Sequence, residues 1–150
     1  MNRLTGKTTD LQQLLEQIKR SPEIMGQVKL WHVIPAKPAR YADFPQSLHS
    51  KLCDVLKQKG IFQLYTHQAE AFQTIMEGKH VVTVTPTASG KTLCYNLPVL
   101  QGVLENEQAR ALYLFPTKAL AQDQLAELHE MVEMMEENIK TYTYDGDTPP

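Results

Sequence analysis

The chain has 150 residues, 42% hydrophobic and 21% charged, which is one domain's worth of ordinary globular sequence with enough apolar content for a core. No apolar run approaches the roughly 20 residues that a membrane span needs, and Asn2, Arg3, Gly6 and Asp10 break up any secretory leader, so a cytoplasmic protein without a membrane partner is expected. The net charge of −2 is unevenly spread: residues 1–60 hold ten Lys or Arg against five Asp or Glu, and residues 61–150 five against twelve, so the basic front suits either phosphate contact or a plain solvated surface.

In chain order, residues 9–20 predict a short amphipathic helix with Leu11, Leu14, Leu15 and Ile18 on one face and Thr8 or Thr9 as its cap. Pro35, Pro38 and Pro45, interleaved with Trp31, Tyr41 and Phe44, predict an extended connector with docking aromatics. From Ser47 to Lys59 the residues Leu48, Leu52, Val55 and Leu56 recur at helical spacing, and Gly60 stands where a left-handed terminator belongs. A further helix is expected from about Thr66 to Glu77, closed by Gly78, with Ala69, Phe72, Ile75 and Met76 inward.

The period then changes. Residues 80–85 (HVVTVT) are β-branched and nearly continuous in apolar character, as a strand covered on both faces should be. A helix from Lys91 to about Leu104, a strand at 110–115 (RALYLF), a long helix from Lys118 to about Glu137 and a strand at 139–144 follow, the long helix turning Leu125, Leu128, Val132 and Met135 to a sheet. Strand, helix, strand, helix, strand predicts an α/β fold with parallel pairing and right-handed crossovers. Cys53 and Cys94 fall inside predicted helices, far apart and without zinc spacing, and are expected to be reduced core thiols.

Thr85-Pro86-Thr87-Ala88-Ser89-Gly90-Lys91-Thr92 fits the phosphate-loop pattern G-x-x-x-x-G-K-[ST] at all but its first position, and it joins a predicted buried strand to a predicted helix. Small residues let successive backbone N–H groups turn inward around phosphates, and the helix directs the positive end of its dipole to the same point. Thr87, Ala88, Ser89 and Gly90 are the expected cradle, Lys91 the charge on the β- and γ-phosphates, and the Thr92 hydroxyl one ligand of Mg²⁺, so ATP with Mg²⁺ is the expected cofactor. Thr85 in place of glycine, and Ala88 where glycine is common, are the departures.

Three further segments place this loop in a family. Leu64-Tyr65-Thr66-His67-Gln68 resembles the adenine-recognising Q motif of superfamily 2 helicases, where a Gln amide matches the N6 and N7 edge of adenine; Gln68 takes that position. Phe115-Pro116-Thr117-Lys118-Ala119-Leu120-Ala121-Gln122-Asp123-Gln124 looks like motif Ia, in which Thr117, Lys118 and the free N–H groups of a helix start form a second phosphate corner, while Thr117 also serves as a cap. Tyr144-Asp145-Gly146-Asp147-Thr148 resembles an element lining the same strand-binding groove, with Asp147 and Thr148 as contact residues or, equally, as parts of a plain turn.

Residues 61–148 together resemble the first RecA-like domain of the mitomycin-repair DNA helicases, the MrfA type, related to RecQ and to DEAD/DEAH-box proteins. The resemblance implies a parallel RecA-like phosphate-loop sheet over 61–150, incomplete here, behind a basic helical extension at 1–60. It also implies ATP-dependent unwinding of DNA with a single-stranded tail, 3′-to-5′ polarity and a role in repair. The family's Asp-Glu pair, its second RecA-like domain and its cysteine cluster have no counterpart before Pro150, so these residues alone are expected to bind nucleotide weakly and to hydrolyse none. An RNA helicase, a non-catalytic ATP-binding module and a small phosphate-loop kinase or GTPase are the competing readings, the last disfavoured by the eighty residues ahead of the loop.

Overall fold

The computed structural model describes residues 10–36, 38–86, 89–144 and 146. The chain divides into two compact units, Met1–Pro38 and Ala39–Pro150.

In the first unit, helix α1 (Leu11–Arg20) meets the single turn α2 (Pro22–Met25). The cap of α1 is Asp10, whose Oδ1 accepts the Gln12 N–H at 3.3 Å; Thr8 and Thr9 lie outside the described residues. A carboxylate suits the positive end of a helix dipole better than a hydroxyl does. Leu11, Leu14 and Leu15 do form an apolar stripe, but each is exposed. Trp31 lies under the Lys19 ammonium, 5.6 Å from ring centroid to Nζ.

In the second unit, α3 (Ser50–Gln58), α4 (Thr66–Met76), α5 (Lys91–Glu105) and α6 (Lys118–Met134) supply one core, centred on Leu52, Leu56, Phe72, Leu97, Leu100 and Met131. Full burial of each such side chain contributes about 1.5–3 kcal/mol before entropy is counted. The expected inward residues of α3 are buried, as are Leu128, Val132 and Met135 toward the end of α6. In α4 the inward face is Ala69, Ala71 and Phe72, while Met76 is exposed, because the helix ends at that residue and Gly78 (φ 77°) turns the chain away. Gln101, 2% exposed, fastens α5 to the start of α3: its Oε1 accepts the His49 N–H at 2.8 Å and its Nε2 donates to the Ser47 carbonyl at 3.1 Å.

Two short strands, β1 (Tyr41–Ala42) and β2 (Leu64–Tyr65), pair antiparallel with Tyr41 opposite Tyr65 and Ala42 opposite Leu64. Such a ribbon is marginal by itself; here Leu64 is fully buried beneath it and Tyr41 stacks on Tyr65 at 5.2 Å. The ribbon sets the direction of α4, which begins at the next residue.

The parallel sheet expected from the sequence is not formed among the described residues, whose one sheet is this ribbon. Segments 80–85, 110–115 and 139–144 run without regular pairing, yet a period of two runs through most of them: Val82, Val84, Leu112, Leu114, Tyr142 and Tyr144 are all more than four-fifths exposed, and Val81, Thr83, Tyr113, Phe115 and Thr141 are half-buried, with Ala111 and Thr143 exposed out of step. One face of each segment therefore packs inward, while the other face is open among the described residues. A ladder needs backbone partners on at least one side, and no ladder partner for these segments lies among the described residues.

Candidate functional site

The loop after residue 85 ends at Gly90, whose left-handed backbone (φ 71°, ψ 33°) turns the chain into α5. Among the described residues no side chain caps that helix; the Leu93 N–H turns back to the Gly90 carbonyl at 3.3 Å, and the positive end of the dipole stands at the loop. Thr87 and Ala88 lie outside the described residues. Ser89 hydrogen-bonds through its hydroxyl to Thr85 Oγ1, which closes the loop on itself, and its carbonyl stands 3.0 Å from His67 Nε2.

Lys91 does not extend into solvent. Its Nζ donates to the Thr85 carbonyl at 3.2 Å and the Pro86 carbonyl at 2.9 Å, and it reaches Ser89 Oγ at 3.5 Å. The ammonium thus rests in oxygens of its own loop, all of them uncharged and replaceable by phosphate oxygens, for which an ammonium has the stronger preference. Thr92 directs its hydroxyl away from the loop, donating to Gln124 Oε1 on α6 at 3.1 Å.

Gln68 is only 3% exposed and bridges the ribbon to the loop. Its Oε1 accepts the Tyr65 N–H at 2.8 Å, and its Nε2 donates to the Gly90 carbonyl at 2.8 Å. A carboxamide has two lone pairs on oxygen and two hydrogens on nitrogen, so one of each remains. Tyr65 stacks between Tyr41 and His67, the latter ring at 5.7 Å. A cleft of about 480 Å³ opens beside this bridge, lined by Tyr41, Phe62, Gln63, Tyr65, Gly90, Thr92 and Glu127. That volume is in the range of small-molecule sites, and its wall combines aromatic faces with the uncapped helix end.

A second helix start lies at Thr117, whose Oγ1 accepts the Leu120 N–H at 3.3 Å, so the expected cap is present. Lys118 follows as the first residue of α6. Asp147 and Thr148 lie outside the described residues. The structure therefore brings Gln68, Ser89, Gly90, Lys91 and Thr92 together at one point. Thr117 and Lys118 stand at the start of the helix that carries Gln124.

Sequence reasoning missed three participants. Tyr41 and Phe62 face the cleft, and Gln124 accepts from Thr92. An exposed aromatic beside a predicted helix start was the available signal for Phe62, which is 71% exposed. Nothing local marks Gln124, since its partner is 32 residues away.

Residues 65–150 match the model of the DEAD/DEAH box helicases. The chain belongs to that family. It is 49% identical over 144 residues to an uncharacterized ATP-dependent helicase, YprA, of Bacillus subtilis, with 96% of this chain and 19% of that protein covered. It is 38% identical to the ATP-dependent helicase hrq1 of Schizosaccharomyces pombe, covering 97% of this chain and 14% of the relative. Among solved structures, the DUF1998 helicase MrfA bound to DNA and AMPPNP superposes with a TM-score of 0.83 at 50% identity, over 95% of this chain and 19% of the other. The chain thus spans 14% to 19% of the length of these relatives. The likeness includes the phosphate loop, and the donor set found here fits the ATP and Mg²⁺ that the family implies: an ammonium, a hydroxyl and an uncapped helix end. No helix among the described residues is long and apolar enough to cross a membrane.

Proposed function

We propose that the chain is the front of the motor of an ATP-dependent DNA helicase, with residues 61–150 beginning a first RecA-like domain and residues 1–60 forming a basic extension. The observation that carries this reading is the start of α5, where Gly90 and Thr92 line the cleft beside Gln68 and Lys91, between them in sequence, rests its ammonium on the carbonyls of the loop. The loop from Thr87 to Gly90 would hold the triphosphate, and the Lys91 ammonium, now on the Thr85 and Pro86 carbonyls, would supply the positive charge against it. The free lone pair and N–H of Gln68 read adenine. Thr92 would be the chain's ligand to Mg²⁺, which would supply charge neutralisation at the phosphates.

Thr117 and Lys118, with Asp147 and Thr148, hold the backbone of a DNA strand carrying a single-stranded tail, and movement is 3′ to 5′ in the service of repair in the cytoplasm. The DNA-bound relative supports this substrate over RNA. The half-faced segments 80–85, 110–115 and 139–144 join a parallel RecA-like sheet once their open faces and edges are covered; their period-two exposure supports this. Residues 1–150 alone bind nucleotide weakly and hydrolyse none, because they bring Lys91 and Thr92 without an acidic pair for metal and water.

The test is titration of a fluorescent ATP analogue against the chain and its Lys91→Ala variant. The variant is expected to lose at least about tenfold in affinity, the worth of one charge-assisted contact. Unchanged affinity would defeat the phosphate-loop assignment. Competition between tailed DNA and RNA of the same sequence decides the nucleic acid, and hydrolysis at the length of the relatives decides between a motor and a non-catalytic module.

A further inference from the structure

Thr92 and Tyr95 stand three residues apart on α5, so their hydroxyls project from one side of the helix. Both donate to the same atom, Oε1 of Gln124: Thr92 at 3.1 Å and Tyr95 through a short bond. Gln124 lies on α6, two helical turns from the Thr117 cap, and is half-buried. Tyr95 is itself held, meeting the edge of Tyr113 at 5.8 Å. Two O–H donors converge on one oxygen, so the oxygen end of the amide faces α5.

A hydroxyl has one proton and two lone pairs. A threonine ligates a cation through a lone pair, so its proton must point elsewhere, and a rotor free to swing it toward the cation would be a poorer ligand. We propose that Gln124 is a positioning residue for the phosphate-loop threonine. By accepting the Thr92 proton, it turns the oxygen's lone pairs toward the divalent cation that accompanies the nucleotide. Tyr95 serves the same end one step removed, by keeping Oε1 rather than Nε2 toward Thr92. This inference rests on the phosphate-loop reading above and adds to it a residue from a different helix.

A plain tether between α5 and α6 would also use this contact, but a tether predicts lost stability without a change in metal dependence. The experiment is binding of a fluorescent ATP analogue to the full chain, titrated with Mg²⁺ and repeated in EDTA, for wild type, Gln124→Leu, Gln124→Asn, Gln124→Glu and Lys91→Ala. Gln124→Leu removes the acceptor, and Gln124→Asn withdraws it by one methylene. Both are expected to raise the Mg²⁺ concentration for half-saturation by about tenfold or more, the usual effect of losing an outer partner of a metal ligand. Their affinity in EDTA stays within about twofold of wild type. Gln124→Glu is acceptor-only and restores near-normal Mg²⁺ dependence, which separates an orienting acceptor from a packed amide.

Unchanged Mg²⁺ dependence in both the Leu and Asn variants, with Lys91→Ala still losing nucleotide, overturns the role of Gln124 and leaves the phosphate loop standing. A parallel loss with and without Mg²⁺ also overturns it, in favour of the tether. Full binding by Lys91→Ala overturns the loop reading, and this inference with it. Using both Leu and Asn keeps the result readable should one of them fail to fold.

Discussion

Gly90 and the Gln68 carboxamide are in such close contact that a Cβ on Gly90 would lie 2.6 Å from Gln68 Nε2. The backbone there is also left-handed, at φ 71°. Two independent reasons therefore require glycine, one conformational and one steric, and they can be separated.

Gly90→Ala is expected to cost about 1–2 kcal/mol for the left-handed backbone alone, plus whatever displacing Gln68 adds. Gln68→Ala leaves the Tyr65 N–H without its partner and takes from the Gly90 carbonyl one of two donors, the Leu93 N–H remaining at 3.3 Å, at about 1–3 kcal/mol, nearer the low end because Gly90 is also exposed to water. If the steric contact matters, Gly90→Ala costs less in the Gln68→Ala background, with a coupling of about 0.5 kcal/mol or more by urea denaturation. Strict additivity would show that only the backbone conformation demands glycine.

What the sequence made legible follows from what is local. Helical periodicity and glycine stops located α3, α4, α5 and α6 because Leu52, Phe72, Leu97 and Leu128 recur at one face and Gly60 and Gly78 take φ near 76° and 77°. The phosphate loop was legible as a string whose Lys91 and Thr92 must sit at a helix start. The ribbon of β1 and β2 was not, since two-residue strands leave no period to read. Pairing of the three half-faced segments depends on backbone partners rather than on their own composition, so a strand pattern does not by itself say that a ladder forms. The sequence pattern marks Gln68 as an adenine contact but not as a bridge to Gly90, a bond that spans 22 residues; the Thr92 to Gln124 bond crosses 32 residues and leaves no local trace.

The half-faced segments make a contrast that stability measurements can read. Leu97 is fully buried and Val82 is 88% exposed, although both are aliphatic and it is the segment of Val82 that the sequence pattern predicts to be covered on both faces. Leu97→Ala is expected to cost about 2–5 kcal/mol through lost burial and a cavity, and Val82→Ala to stay within about 0.5 kcal/mol as surface changes do. Comparable losses at both positions in the 150-residue chain would mean that segment 80–85 is covered in solution.

Cys94 is buried on α5, and burial raises its thiol above the ordinary value against a weaker opposing hydrogen bond from Thr83. Cys53 is raised for the same first reason, with Lys57 opposing. Thiolate is the reactive form, so both should be slow toward a thiol-specific disulfide reagent at pH 8, Cys94 the slower because it is also enclosed. Both should react at the free-thiol rate once urea unfolds the chain. Rapid native modification of Cys94 would show that the start of α5 opens more readily than its packing implies.

Tyr113 links this packing to pH. Its hydroxyl donates to Asn96 Oδ1 at 3.1 Å, its ring packs beside the core, and desolvation, followed by the neighbouring Tyr95, raises its ionisation well above the ordinary tyrosine value. Asn96 is 1% exposed, and its Nδ2 has no partner among the described residues, so the phenol proton supplies a hydrogen bond that the buried amide cannot readily replace. A folded-state value above the unfolded one means that the stabilisation is fully present below about pH 10, the unfolded tyrosine value, and is lost as the pH rises toward the folded value, where the unfolded chain ionises first. The chain should therefore lose thermal stability above about pH 10. Other tyrosines and the lysines contribute to that loss, so the decisive quantity is the difference in slope between wild type and Tyr113→Phe. The variant is expected to start less stable at pH 8, because Asn96 loses a partner, and to fall less steeply between about pH 10 and 11. Parallel slopes would mean that water reaches the phenol, and that the contact with Asn96 does not hold its proton.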